Sequence, residues 1–239
     1  MDLFSKKKQS TNNLSKNPKD LVSTFFSNTA NSYDKIVYLT TFGIDRSWKK
    51  KILEQITTEK SVLDLACGTG ILTKLIADKI PHAKIIGLDI TTPYIEKAKI
   101  KLKSYENISF VIDDAEKFNL DSKFDCITTS YLPKYCNADI LIKNCINHLN
   151  VGGKIILHDF TYPKNLFMQK IWNLYFNVLN LIGFFIPNWK NVFVHLPNLI
   201  RTTNWVTDYE KIMKNNELKI YKHDLTLGTA SILIGIKII

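Results

Sequence analysis

The chain has 239 residues, 45% of them hydrophobic and 23% charged, which is enough to bury a real core and excludes a globally disordered chain. Lys and Arg number 32 against 22 Asp and Glu, a formal net charge of +10. Such a surface favours nucleic acid, acidic lipid headgroups or an anionic substrate, and suits a plain soluble protein equally well.

Residues 1–20 are polar and rich in lysine (Lys6, Lys7, Lys8), with no apolar stretch of the signal-peptide kind, and read as a flexible basic tail. Residues 21–239 form one expected domain, opening with a helical cap over 21–58. Within the cap, Leu21–Thr41 reads as helical and then irregular. Asp45–Ile56 has a helical pattern, with Asp45 as its N-cap. From Ser61 to residue 160, short β-rich runs alternate with helical ones. SVLDLA precedes Ile71–Lys79, AKIIGLDI precedes Pro93–Lys103, and ISFVI leads into a loop. FDCITTS precedes Ala138–Leu149, and GKIILHDF closes the series. That alternation means βαβ units and a mostly parallel sheet, and the nearly continuous apolar strands require cover on both faces. Residues 161–239 supply further helices and two closing strands, LKIYKHDL and ASILIGIKII. Asn165–Pro187 is about long enough to span a bilayer, but Gln169, Lys170, Asn173, Asn177 and Asn180 make spanning costly. A helix packed on the domain, or lying against a membrane surface, is expected. Cys67, Cys126, Cys136 and Cys145 show no C-x-x-C spacing, so buried free thiols in a reducing cytoplasm are expected rather than a metal site or disulfides.

The strongest chemical signal is VLDLACGTG, Val62–Gly70. A buried strand ends at Asp64-Leu65-Ala66 and turns through Gly68 and Gly70 into a helix. Glycine permits the tight turn and lets the backbone approach a ligand. Open α/β sheets place ligands at this end of the strand. The third glycine of a dinucleotide fingerprint is missing, and Asp64 and Ala66 fit an S-adenosylmethionine (SAM) site better. Asp89 ends the second strand about 20 residues further on, where a carboxylate accepts ribose hydroxyls. Asp113-Asp114-Ala115 would close over an adenine ring, and Ser130 would face the methionine end of the cofactor. Each of these also has a plain reading as a loop or strand end.

These segments resemble class I SAM-dependent methyltransferases. Phe26, Ala30, Tyr33-Asp34, Thr41-Phe42-Gly43 and Trp48-Lys49 resemble the N-terminal pattern of the ubiquinone/menaquinone biosynthesis C-methyltransferase family. Asp159–Pro163 and Tyr175–Gly183 resemble that family's segments after the fifth strand. The resemblance implies a Rossmann-like, seven-stranded, mostly parallel sheet with helices on both faces, and a last strand running antiparallel beside the fifth. It places SAM contacts on Thr69, Asp89, Asp114, Ala115 and Ser130. The chain departs from the family after the fourth strand. The usual Phe-Gly-Leu-Arg-Asn is Tyr131-Leu132-Pro133-Lys134-Tyr135, and the family's Glu near the fifth strand is Asp159. Lys does not substitute for Arg geometrically, so the cofactor half is kept and the acceptor half is altered.

The expected function is C-methylation of a lipophilic, demethylmenaquinol-like precursor, with Lys134, Tyr131 and Asp159 as candidate catalytic residues and peripheral contact with an anionic membrane. His158 and Asp159, adjacent on a strand, should point to opposite faces. O- or N-methylation of another small molecule, or SAM binding without catalysis, are the alternatives. No Asn/Asp-Pro-Pro-Tyr/Phe motif follows the fourth strand, so nucleic acid is not an expected partner. The acceptor is expected to enter between Tyr33–Phe42 and Asn165–Pro187, segments that hold the rings of Tyr33, Tyr38, Phe42, Trp172, Tyr175 and Phe176. No sequence signal points to a particular oligomeric state.

Overall fold

Aliphatic runs too apolar to face water on either side build the centre of the molecule. The computed structural model describes residues 18–238, so most of the expected basic tail lies outside the described residues. Seven strands form one sheet: β1 (Ser61–Leu65), β2 (Lys84–Asp89), β3 (Ile108–Ile112), β4 (Phe124–Ser130), β5 (Leu149–Phe160), β6 (Lys219–Leu225) and β7 (Ala230–Ile236). Their order is β3-β2-β1-β4-β5-β7-β6. All neighbours pair in parallel except β7, which runs antiparallel to both β5 and β6. Inserted between two strands, β7 (ASILIGI) is buried from Ala230 to Gly235. The edge strand β6 (KIYKHDL) is largely exposed and carries Lys219, Lys222, His223 and Asp224, which discourage pairing with another chain.

Two helical layers cover the sheet. On one face, α3 (Ile44–Glu54), Ile56 just beyond it and α4 (Ile71–Lys79) place Ile52, Ile56, Leu72 and Ile76 against Val62, Ile85, Cys126 and Ile156. On the other, α6 (Ala138–Asn147) and α9 (Trp205–Asn215) place Leu141, Cys145, Tyr209 and Met213 against Leu63, Ile127 and Leu157. α5 (Thr92–Lys101) packs on β2 and β3. A third, aromatic cluster lies outside these layers. It joins α1 (Asp20–Phe26), α2 (Tyr33–Thr40), α7 (Leu166–Gly183) and α8 (Pro187–Thr202) through Phe25, Ile36, Trp172, Phe176, Trp189 and Phe193. Cys67, Cys126 and Cys145 are buried, Cys136 is half-buried, and all four are free thiols.

Three local expectations are corrected. Leu21–Thr41 is two short helices, with Asp20 already in the first turn of α1. Asp45 is not an N-cap: Gly43, at φ +74°, precedes the helix, and Asp45 points inward to buried Lys49. A counter-charge within reach makes that burial tolerable. The apolar stretch Asn165–Pro187 is broken after Gly183, and α7 and α8 pack together as a hairpin. Among the described residues no helix is long and apolar enough to cross a membrane.

Candidate cofactor and acceptor site

The strand order reverses between β1 and β4, which opens a crevice at the carboxyl ends of the parallel strands. A cavity of about 400 Å³ occupies that crevice, within the range of about 300–1,000 Å³ usual for small-molecule sites. Its walls come from the ends of four strands: Ala66 and Gly68 after β1, Asp89 at β2, Asp113, Asp114 and Ala115 after β3, and Ser130 and Tyr131 at β4. Leu88, Ile90 and Leu132 supply apolar surface, and α1 lies over the opening with Val22, Ser23 and Phe26.

The turn after β1 is built for close backbone approach. Ala66 and Gly68 take left-handed conformations at φ +53° and +57°, which glycine adopts freely and a larger residue adopts at a cost. Gly70, at φ +77°, does not line the cavity. A Cβ there would come within 2.8 Å of Leu102, so this glycine serves the packing of α4 against α5. Thr69 does not line the cavity either, because its hydroxyl donates to Asp34 of α2. Asp64 lines a small adjoining recess with Ala66, Gly68, Ser130 and Tyr131.

The carboxylates differ in state. Asp89 accepts the Gly68 N–H at 2.9 Å and the Thr91 N–H at 2.8 Å, and burial pushes its carboxyl up. Lys19 pairs with Asp114 and with Glu116, tying the start of α1 to the loop after β3. Burial works against the charge of Asp114, yet the bond from Lys19 holds its carboxyl below the usual range. Asp64 accepts the Thr73 hydroxyl at 2.7 Å, and burial pushes its carboxyl up to about 7. The native state therefore keeps this proton to about pH 7, whereas an unfolded chain releases it near pH 4. Between those values the native form binds more protons, so stability falls as pH rises, by up to roughly 4 kcal/mol from this group. Asp64→Asn keeps an acceptor for Thr73 and should flatten the decline. Urea unfolding from pH 4.5 to 8 checks this, and parallel curves for parent and variant would sink it.

A second cavity, about 70 Å³, adjoins the first through shared Phe26, Tyr33, Tyr131 and Tyr135. It lies between α2 (Tyr33, Val37, Thr40) and the hairpin (Tyr175, Phe176, Leu179, Trp189, Val192, Phe193). Of the six rings singled out in the two acceptor segments, Tyr33, Tyr175 and Phe176 line it. Trp172 is buried beneath, and Tyr38 and Phe42 are exposed.

Among the described residues, Lys134 is the only charged side chain lining this second cavity. Its ammonium donates to Asp159 at 2.6 Å and to the Tyr131 carbonyl at 2.9 Å, and its N–H donates to the other Asp159 oxygen at 3.1 Å. It lies 4.5 Å from the ring centre of Tyr135 and 5.7 Å from that of Tyr131, within cation–π range. Burial pulls Lys134 down and pushes Asp159 up, and their mutual attraction opposes both shifts. Asp159 lines neither cavity. Tyr131 stands between the two cavities at φ +75°, and its hydroxyl donates to Asp45 at 2.6 Å. Burial, and then the charge of Asp45, push the phenol well up, so it is a donor and not a phenolate base. His158 points away from Asp159, its Nδ1 2.9 Å from the Ser130 hydroxyl, and burial pulls its pKa well down.

The sequence pointed to Ala66, Gly68, Asp89, Asp114, Ala115, Ser130, Tyr131 and Lys134, and these stand around the two cavities. It missed Phe26, Tyr94 and Tyr135 as walls, Lys19 as a tether, and the Asp45–Lys49 pair behind Tyr131. Only the i,i+4 spacing of Asp45 and Lys49 could have signalled that pair.

The fold and this crevice define a class I SAM-dependent methyltransferase. Residues 12–237 match the model of the ubiE/COQ5 methyltransferase family, and the chain belongs to that family. SAM is its methyl donor. A demethylmenaquinone methyltransferase of Thermotoga maritima is 26% identical over 88% of this chain and 93% of its own length. The ubiquinone/menaquinone biosynthesis C-methyltransferase UbiE of Hahella chejuensis is 27% identical over 90% of this chain and 91% of its own. Among solved structures, magnesium protoporphyrin IX methyltransferase from Synechocystis, with bound S-adenosylhomocysteine, shares the fold at a TM-score of 0.61. It is 17% identical, over 92% of this chain and all of its own.

Proposed function

We propose that this methyltransferase methylates a ring carbon of a demethylmenaquinol-like hydroquinone. The observation that carries the reading is the second cavity, walled by aromatic rings, adjoining the cofactor crevice and holding one cation, Lys134. The two relatives named above carry this substrate class in their names. Residence in the cytoplasm and peripheral contact with an anionic membrane belong to the same proposal.

The residues around the larger cavity fit SAM. Asp89 would accept the ribose hydroxyls, the loop at Asp114-Ala115 would border the adenine, and Ala66, Gly68 and Ser130 would border the methionine part. Asp64, a buried carboxyl in want of a cation, would meet the ammonium. Thr69 and Gly70 would act through the turn rather than by contact. When bound, SAM supplies an electrophilic methyl group. The protein's work is then to aim a nucleophile and exclude water, which the aromatic walls do. A hydroquinone carbon gains electron density as its phenolic proton leaves, and a cation at that oxygen stabilises the developing charge. Lys134, held by Asp159, would meet that oxygen, and Tyr131 would form the wall between the two compartments. The cavity is smaller than the roughly 150 Å³ that takes a benzene ring, so the hairpin must yield when an acceptor enters.

The test offers a short-chain demethylmenaquinol, a catechol and a primary amine separately, with SAM, and analyses products by mass spectrometry and NMR. A new carbon-bound methyl on the quinol is the expected result. Methylation of the catechol oxygen or the amine with the quinol untouched would replace this reading with a general small-molecule methyltransferase.

A further inference from the structure

The small recess beside the cofactor crevice holds a buried cation whose donors are not all matched. Lys49 enters it from the middle of α3, faces Asp64 across it, and is 4% exposed. Gly68, Ser130 and Tyr131 line both the recess and the crevice, so the recess opens on the space that would take the methionine part of SAM. Of the three N–H donors of an ammonium, Lys49 gives one to Asp45 and has no other hydrogen-bond partner among the described residues. The same Asp45 oxygen also accepts the Tyr131 hydroxyl, and the Lys49 ammonium stands 5.0 Å from the Tyr131 ring centre. Burial pushes the Asp64 carboxyl up, and the Thr73 hydroxyl and then the charge of Lys49 draw it back. A buried cation with donors left over is costly unless an anion meets it.

Among the described residues, Lys19, Lys49 and Lys134 are the cations that line these adjoining spaces. Lys19 pairs with Asp114 and Glu116 beside the loop that would border the adenine, and Lys134 pairs with Asp159 on the acceptor side. That leaves Lys49 as the cation at the opposite end of the crevice from the adenine loop. The amino-acid end of SAM carries an ammonium and a carboxylate on one carbon. With the ammonium at Asp64, the carboxylate falls within the reach of a donor in the same recess. The recess measures about 20 Å³, room for about one water and so for one carboxylate oxygen.

We propose that Lys49 binds the cofactor, its ammonium holding the carboxylate of SAM while Asp64, across the recess, holds the SAM ammonium. This rests on the cofactor placement given under the proposed function and not on the identity of the acceptor.

Calorimetry with three probes tests it on the full chain: SAM, decarboxylated SAM, which keeps the ammonium alone, and methylthioadenosine, which keeps neither group. The parent should bind SAM about tenfold or more tightly than decarboxylated SAM, the worth of a charge-assisted hydrogen bond. Lys49→Met should weaken SAM by a similar factor and leave the other two probes within about twofold of the parent. Because that variant strands the Asp45 carboxylate, the double variant Asp45→Asn/Lys49→Met repeats the measurement without a buried charge and with an acceptor kept for Tyr131. Thermal melts report the fold of both. Asp64→Asn should weaken SAM and decarboxylated SAM alike, which reads the ammonium contact apart from the carboxylate contact. A parent that binds SAM and decarboxylated SAM equally well overturns the proposal. So does a Lys49 variant that binds SAM as the parent does, or one that loses all three probes in equal measure, which would reduce Lys49 to a prop for Tyr131. No readout involves an acceptor, so failure of the quinol reading would leave these results standing.

Discussion

Asp159→Ala is expected to be the most damaging single substitution in the molecule, lowering stability by about 3–5 kcal/mol. Asp159 and Lys134 are both fully buried, and the carboxylate accepts from the ammonium, the Lys134 N–H and the Phe160 N–H. Removing it leaves a buried ammonium facing only aromatic rings and one carbonyl. Lys134 must then lose its proton or open the site to water, and its pKa, already pulled down by burial, falls further. The pair itself need not stabilise the fold. The double variant Lys134→Met/Asp159→Leu, similar in volume and without charge, should recover most of the loss. It should not recover methyl transfer if Lys134 serves the acceptor's oxygen. Urea denaturation of the three proteins gives the stabilities, and methyl transfer gives the second readout. A single variant as stable as the parent would show that the buried charge is met in some other way. A double variant with parental turnover would remove Lys134 from the chemistry.

Asp89→Ala is expected to weaken SAM binding by about 1.5–3 kcal/mol, roughly 10- to 150-fold, the worth of charge-assisted hydrogen bonds. Each Asp89 oxygen already accepts one backbone N–H, from Gly68 or Thr91, and the side chain still lines the cavity with lone pairs left for hydroxyls. The alanine variant also frees those two donors, so part of its loss comes through the turn. Asp89→Asn keeps one acceptor and one of these bonds, and should fall between the other two. Calorimetry on the three proteins, with thermal melts to follow the turn, decides it. Unchanged affinity in Asp89→Ala would mean that this carboxylate does not hold the ribose.

The two expectations differ in how far the sequence alone could support them. Asp89 and Gly68 are joined by short-range logic. A strand ending in a carboxylate, about 20 residues after a strand that turns through glycine, has few ways to fold other than with both ends at one crevice. The same holds for the alternation of buried strands with helices; the place of β7 beside β5 was instead what the family resemblance implied, with the paired strand-like runs at the end of the chain. The parallel sheet and the location of its cofactor crevice were therefore determined by periodicity, turn chemistry and the rules of parallel sheets, all of which act over a few residues or one βαβ unit, whereas the methyltransferase class was what the family resemblance implied.

Lys134 and Asp159 lie 25 residues apart, Tyr131 and Asp45 86 apart, and Lys19 and Asp114 95 apart. No local pattern announces such pairs, because a buried ion pair arises only when packing removes two side chains from water at the same place. Asp45 shows this most directly. By position it suited a helix cap, but burial beside Lys49 and Tyr131 took it inward and left Gly43 to start the helix. Thr69 and Gly70, both within the cofactor motif, were turned instead toward Asp34 and Leu102, contacts that exist only once α2 and α5 are docked. The break of the apolar stretch after Gly183 into a hairpin likewise awaited α8. Folding back buried one face of α7 against it and left the other exposed, because only the neighbours that the tertiary structure brings up decide which side of an apolar helix is covered.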